Sequence, residues 1–393
     1  MAFTVSNVYA NTLEVDAIVR NDRFKARTQK VTLQNLKSQN CFEGKHFRIV
    51  KAKNSEPLCL DDIDQDLKLK ASTVYYHLEK AREYFSDQLN SEHVKNLPQI
   101  IIRLEMKNHF HHLGHFGNDN LPAQYNNAVS VPAGRGLPSR GINPWDEEIW
   151  FRPAKRIHIS EIDIRGNFNS VRGMLSEFRG QTHILSLQQF LLSLGIGQAP
   201  AVSLLDPSNV FRVAGASLVM ELAYWGGPSL ARLFQRKWYH LETSLVPEII
   251  YHEFAHIALN DYLEVTHSTA VIEGMADFFA ARIANSDKLA TNIKKYNTFN
   301  GKKASNTNQY RQIFETTGYA NTDFVFGLLW GLEDVMEKKS IDSFIYDLRK
   351  GLQTDSSISE DLVWAIVDQC KVQCDNLNVM HHKLMQYFYL RGI

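Results

Sequence analysis

The chain has 393 residues, enough for two or three structural units around a large buried core. Hydrophobic residues make up 44% and charged residues 22%, an ordinary globular balance, and 43 Lys plus Arg face 43 Asp plus Glu. The resulting formal net charge of zero gives no support for a nucleic-acid or anionic-membrane partner, and no apolar run is long enough to span a bilayer.

The start, MAFTVSNVYANTLEVD, lacks the basic residues and apolar core of a signal peptide. The chain therefore reads as cytoplasmic, or as secreted or periplasmic after loss of a leader. Residues 1–70 read as β-rich: TVSNVYA, QKVTLQNL and KHFRIVKA alternate or carry β-branched residues, with Asn and Gly between them. KNSEPLCLDDIDQDLKLK reads as a polar, acidic linker. STVYYHLEKAREYFSDQL then starts a helix, with Ser72 or Thr73 as its cap and Tyr75, Leu78, Ala81, Arg82 and Phe85 at helical spacing. PQIIIRLEM predicts a short buried strand. Residues 108–145, rich in Gly, Pro, Asn and His, predict loops around a sheet edge, and EEIWFRP and KRIHISEIDI predict further strands. Residues 166–246 are mixed and mostly helical in pattern, and from 247 onward nearly everything reads as helix. Strands first and helices later predict an α+β protein with a helical C-terminal lobe. The expected units are 1–70, an α/β lobe over 71–265, and a helical lobe over 266–393.

There are four cysteines, and their pairing is not readable from sequence. Cys41 and Cys59 sit in neighbouring strand-like segments and could be bridged. Cys370 and Cys374 are one helical turn apart. Four plain buried thiols are the simpler alternative.

The most informative stretch is PEIIYHEFAHIALNDYL. Pro247 stands where a first helical turn tolerates it, with Thr243 or Ser244 ahead. Positions four apart share a helix face, so His252 and His256 can aim two imidazoles at one point. Glu253, beside the first histidine, is placed to take a proton from water. VIEGMADFFAARIANS follows, with Glu273 17 residues after His256 and Ser268 or Thr269 able to cap the helix. Glu273 would complete a His2Glu set with one position open, the arrangement of a catalytic zinc site. Asp277, four residues on, could accept a hydrogen bond from a ligand histidine. A solvated face is the plainer reading of Glu273 and Asp277, but Gly274, Met275, Ala276, Phe278, Phe279 and Ala280 around them make that face a poor match to bulk water.

HEFAH followed by EGMADFFAA resembles the glutamate-zincin peptidases of the thermolysin and fungalysin families, and EGMADFF is closer to the fungalysin side. STVYYHLEKAREYF resembles the helix that opens their catalytic domain. YNNAVSVP with EIWFRP resembles their substrate-binding edge strand, which implies Asn127 and Ala128 as substrate contacts. YANTDFVFGLLWGLEDV resembles a downstream segment ending in a Leu-Trp pair, here Leu329-Trp330, and QYFYLRGI resembles the last helix. The β-rich start, with KVTLQNL and FEGKHFRIV, resembles the region before such domains, which leaves 1–70 as a prosegment or an accessory part. The resemblance implies a two-lobed zincin domain with the HExxH helix between the lobes, one Zn2+, and a peptide or protein substrate. Relatives also use Ca2+, for which no Asp-rich loop is present here.

Two departures stand out. The families usually carry an oxyanion-holding histidine where this chain has Tyr319, whose hydroxyl can donate the same hydrogen bond but carries no positive charge. About 100 residues separate EIWFRP from HEFAH, so much of 160–245 reads as an insertion. HFHHLGHF, four histidines from His109 to Phe116, could bind a second metal but reads more simply as a loop, and His381-His382 reads as surface. No serine-nucleophile elbow or phosphate-cradling glycine loop is present. The expectation is a zinc-dependent endopeptidase with Glu253 as general base. The alternative is a catalytically weak or inactive relative in which the same fold serves as a binding or scaffolding module.

Overall fold

A computed structural model describes residues 11–20, 26–52, 54–106, 128–131, 146–154, 157–158, 238–239, 242–263, 269–289, 302–303, 320–336, 341–352, 358–374 and 377–390. The protein is of the α+β class. β1 (Asn11–Arg20) and β2 (Ala26–Leu36) form an antiparallel hairpin in which Leu13 pairs with Leu33 and Val15 with Val31. Leu13, Val15 and Ala17 point into the core while Glu14 and Asp16 stay exposed, the period-two pattern of a half-buried strand.

β3 (Phe47–Lys51), β4 (Ile100–Leu104), β5 (Ala128–Val131) and β6 (Glu148–Phe151) form a second sheet in the order β3-β4-β6-β5. The first three are parallel and β5 is antiparallel to β6 at the edge. β4 and β6 are buried almost throughout, as a sheet covered on its faces requires. Within it, Arg103 makes a two-pronged pair with Glu148 at 2.8 Å on both arms.

The crossover from β3 to β4 is α1 (Gln65–Glu83), which continues through a π turn over Tyr84–Gln88. It begins seven residues before the predicted Ser72 cap, because the Asp64 carboxylate accepts from Leu67 N–H at 2.8 Å. Ser72 and Thr73 have another task. Ser72 donates to Asp16 O at 2.5 Å, and Ile18 N–H donates to Thr73 Oγ1 at 3.0 Å, so the helix hydroxyls satisfy an edge of β1. The stretch read as a linker therefore holds a short 3-10 turn, Leu60–Asp62, and the first turns of this helix.

The remaining chain is helical where it bears on the site: α2 (Glu92–Lys95), α3 (Pro247–Leu259), α4 (Thr269–Ile283), α5 (Ala320–Gly331), α6 (Ile341–Leu348), α7 (Ile358–Gln373) and α8 (Leu377–Leu390). Two-residue strand pairs join Ile157–His158 to Trp238–Tyr239, and Lys302–Lys303 to Lys288–Leu289. No helix among the described residues is long and apolar enough to cross a membrane. His381 and His382 are exposed on α8, as read from sequence.

One core joins the hairpin, β3, α1, α3 and α4. Phe254 of α3 meets Phe47 of β3 and Phe85 of the π turn at ring separations of 6.0 and 5.9 Å, and Phe279 of α4 meets Phe85 at 5.1 Å. Packing thus crosses residue 70 without a break, since β3 is a strand of the same sheet as β4 and β6. All four cysteines are paired, Cys41 with Cys59 and Cys370 with Cys374. The first pair brackets β3 across 18 residues, a loop whose closure contributes on the order of 3 kcal/mol.

His77 of α1 is buried and bridges β1 to α3. Its Nε2 lies 2.7 Å from Ile18 O and its Nδ1 2.6 Å from Tyr251 Oη. A carbonyl only accepts, so Nε2–H donates to Ile18 and the Tyr251 hydroxyl donates to Nδ1. Burial holds the His77 pKa down at about 3, against the hydrogen bond to Ile18 that favours the charged ring. The folded pKa lies below the unfolded one, so the contribution is complete above about pH 6.5 and is lost as pH falls toward 3. Urea titrations from pH 7 to 4 should show a falling midpoint. Part of that slope, at most about 1.4 kcal/mol per pH unit, should disappear in His77→Gln; an unchanged slope would remove His77 as its source.

Candidate metal centre

α3 places Pro247 in its first turn, as expected, after a 3-10 turn over Thr243–Leu245. Its apolar face carries Ile250, Phe254, Ile257 and Ala258 into the core, which turns His252 and His256 toward α4. The two imidazoles are nearly perpendicular, at 86°, with Nε2 atoms 3.0 Å apart. From α4, Glu273 brings Oε2 to 3.2 Å from His252 Nε2 and Oε1 to 3.6 Å from His256 Nε2. Among the described residues, these three side chains form a group able to hold a metal ion, each offering one ligand atom within 4.8 Å of the others.

The geometry can be tested against a tetrahedral ion. Ligand atoms about 2.0–2.1 Å from such a centre lie about 3.3–3.4 Å from one another. The two Nε2 atoms, 3.0 Å apart, are close to that value, and Glu273 approaches the two rings with different oxygens, Oε2 at 3.2 Å and Oε1 at 3.6 Å, so one carboxylate spans the pair. The proton placement points the same way. His252 Nδ1 is 2.8 Å from Asp277 Oδ1, and a carboxylate accepts, so Nδ1 carries the hydrogen. In its neutral form His252 then presents a lone pair from Nε2 to Glu273 Oε2, which also presents lone pairs. Two acceptors at 3.2 Å need a proton or a cation between them.

Charge adds to the demand. Burial by itself would lower the His252 pKa, but the carboxylates of Asp277 and Glu273 outweigh it and push it up to about 10. Glu253 is buried, and that burial pushes its carboxyl up to about 7, against the pull of His252; Glu273 pushes the same way as burial. The backbone N–H of Ser130 donates to Glu253. Ser130 lies on β5, so Glu253 stands between the edge strand and the three ligand groups. Asp277 is also buried. Several acidic groups directed at one spot make a cation the fitting occupant.

Of the residues singled out in the sequence, His252, Glu253, His256, Glu273 and Asp277 come together here, and Ala128 opens the adjoining edge strand. Asn127, Tyr319, the histidines of 109–116 and nearly all of 160–245 lie outside the described residues. Two residues were missed by sequence reasoning. Ser130 acts through its backbone, which leaves no trace in side-chain type. Gly274, next to Glu273, lets α4 touch α5: a Cβ there would lie 2.5 Å from Val325 Cγ1 and 3.2 Å from the Phe326 nitrogen. A lone glycine inside an apolar helix was the available signal.

The far end of α3 is also held. His93 Nε2 meets Ile257 O at 3.1 Å, and Arg349 of the segment after α6 makes a two-pronged pair with Asp261 at 3.0 and 2.9 Å. No family model matches the chain, and no curated protein matches its sequence.

Asp277→Ala should weaken metal binding by about 10–100-fold with the circular dichroism spectrum unchanged, because it frees the tautomer and orientation of His252. Competition titration with a chromophoric chelator checks this, and wild-type affinity in the variant would exclude the role. Gly274→Ala should cost about 1–3 kcal/mol and loosen the metal as well, since α4 can escape Val325 only by moving Glu273. Thermal unfolding with and without chelator separates the two effects.

Proposed function

We propose that the chain is a zinc-dependent endopeptidase. The observation that carries the reading is the convergence of ligand atoms from His252, His256 and Glu273 within 4.8 Å of one another, with Asp277 behind His252 and Glu253 beside it. Two imidazoles and one carboxylate suit zinc, and three protein ligands leave one position for chemistry. The resemblance of HEFAH and EGMADFFAA to glutamate-zincins supports the same reading. When bound, the ion supplies Lewis acidity, polarising a peptide carbonyl and making water more acidic.

The chain's own residues perform the rest. β5 has one backbone edge occupied by β6, and its other side carries the Ser130 N–H that meets Glu253. An extended peptide entering there can pair with the backbone near Ala128, with Asn127 as a further contact, and so lie across the ligand groups. Glu253, held by Ser130 N–H, takes the proton of the attacking water and delivers it to the leaving amine. Burial of Glu253 keeps bulk water from competing for that proton. Tyr319 is assigned to donate a hydrogen bond to the developing oxyanion.

A second reading, a metal-holding scaffold without turnover, is favoured by Tyr319, which lacks the charge of the usual histidine. One experiment separates the two: a mixed peptide library incubated with zinc-loaded protein and with Glu253→Gln, read by mass spectrometry. The expected outcome is cleavage by wild type and a loss of about 10²–10⁴-fold in the variant, with one zinc per chain in both. Equal hydrolysis by both would sink the mechanism; silence from both with zinc bound would favour the scaffold.

A further inference from the structure

The N-terminal hairpin has two outer edges, and the fold treats them differently. That of β1 is closed by α1: Ser72 donates to Asp16 O at 2.5 Å, Ile18 N–H donates to Thr73 Oγ1 at 3.0 Å, and Ile18 O accepts from His77 Nε2 at 2.7 Å. In an antiparallel pair, residues directly opposite each other turn their backbone groups either toward or away from one another, and the two kinds alternate. Asp16 and Ile18 turn theirs away, toward α1. Their partners across the hairpin, Lys30 and Thr28, then turn theirs away on the other side, and the period of two adds Thr32.

The outer edge of β2 therefore presents the N–H and C=O of Thr28, Lys30 and Thr32. All three residues are exposed, and among the described residues no strand and no turn hydrogen bond meets them on that side. Further along, the chain itself takes the carbonyls: Gln34 O accepts from the Tyr75 hydroxyl at 3.1 Å, and Asn35 O from Lys45 N–H at 2.8 Å. Arg27, Thr28, Gln29 and Lys30 are all exposed, so this end of the strand is open on both faces. Beside Thr32 a cavity of about 420 Å³, bounded across from β2 by Tyr76 and Lys80 of α1, leaves room for a side chain.

A row of outward N–H and C=O groups is a template for one more strand. The side chains narrow down which strand. β2 carries Arg27 and Lys30 and no carboxylate. A second copy of β2 laid antiparallel along it would bring two more cations to the same ribbon, and a lysine within an edge strand is a known guard against such self-pairing. A segment with carboxylates gains instead, because opposite charges directly across a strand pair attract. We propose that the β2 edge docks an extended acidic segment of a partner protein as a third strand. Its backbone bonds to Thr28, Lys30 and Thr32, and its Asp or Glu side chains stand against Arg27 and Lys30. The edge shares no residue with the metal centre, and the proposal requires nothing of the peptidase reading.

The probe is a fluorescent, end-blocked peptide of about ten Thr and Val residues, a typical strand length, with two Glu placed three apart to face Arg27 and Lys30. It is titrated into the full chain by anisotropy, and mass spectrometry checks that it is recovered uncut. Exchanging both Glu for Lys should weaken binding about tenfold. N-methylating one alternate set of its residues should weaken binding at least about tenfold, and methylating the other set should not, because only one set faces β2. Amide exchange at Thr28, Lys30 and Thr32 should be fast in the free chain and slow at least about tenfold with peptide bound, while Gln29 and Val31, already in the ladder, stay unchanged. Thr28→Pro removes an outward N–H that the hairpin does not use, and should reduce binding by a similar factor at unchanged metal content. If that variant fails to fold, the methylated peptides on wild type decide. The proposal is overturned if the acidic peptide does not bind, or if the Lys form binds equally well. It is also overturned if the three amides are protected in the free monomer, which would mean that the chain covers its own edge, or if they become protected with protein concentration alone, which would make a second copy the occupant.

Discussion

A neutral imidazole offers one lone pair, and the hydrogen bond from His252 Nδ1 to Asp277 settles which nitrogen offers it. With Nδ1 protonated, Nε2 must point at the space shared with His256 and Glu273. This contact spans two helices, so it sets how closely α3 and α4 must approach. That approach depends in turn on Gly274, where α4 meets α5 without room for a Cβ. The site and the helix packing are therefore one constraint seen from two sides.

The rest of the fold holds α3 still. Its start is fixed through Tyr251 and His77 to the backbone of β1, and its end through His93 to α2 and through Asp261 to Arg349. Between them, Phe254 sits in an aromatic cluster shared with β3, the π turn and, through Phe279, α4. Ligand groups must be held to within a fraction of an ångström to act together, and supports from several elements achieve this better than one. The N-terminal hairpin is part of that support, because Leu13, Val15, Leu33 and Leu36 share the core with α3.

Much of this was legible in order. β2 and β3 followed the alternation of QKVTLQNL and KHFRIVKA, β4 and β6 the apolar runs in PQIIIRLEM and EEIWFRP, and α3 began at Pro247 as the local chemistry requires. The start of α1 was misread because Ser72 and Thr73 are strong caps in isolation. In the folded chain their hydroxyls serve β1, a partner more than fifty residues away, and Asp64 caps instead. The lysine-rich turns before Ser72 looked like a linker because their polarity hid Leu67 and Ala71, both buried. The pairing of the cysteines was open for the same reason: proximity across β3 is a tertiary fact.

By itself the sequence determined the groups on each helix. Two imidazoles four residues apart, a glutamate beside the first, and a second pair of carboxylates at the same spacing are consequences of helical periodicity alone. Only the tertiary structure decided which histidine Asp277 orients, that the Ser130 backbone holds Glu253, and that Gly274 is the point of contact with α5. Periodicity acts within one element, where backbone geometry fixes the neighbours. Contacts between elements depend on how buried surfaces fit together, and no local pattern encodes that fit.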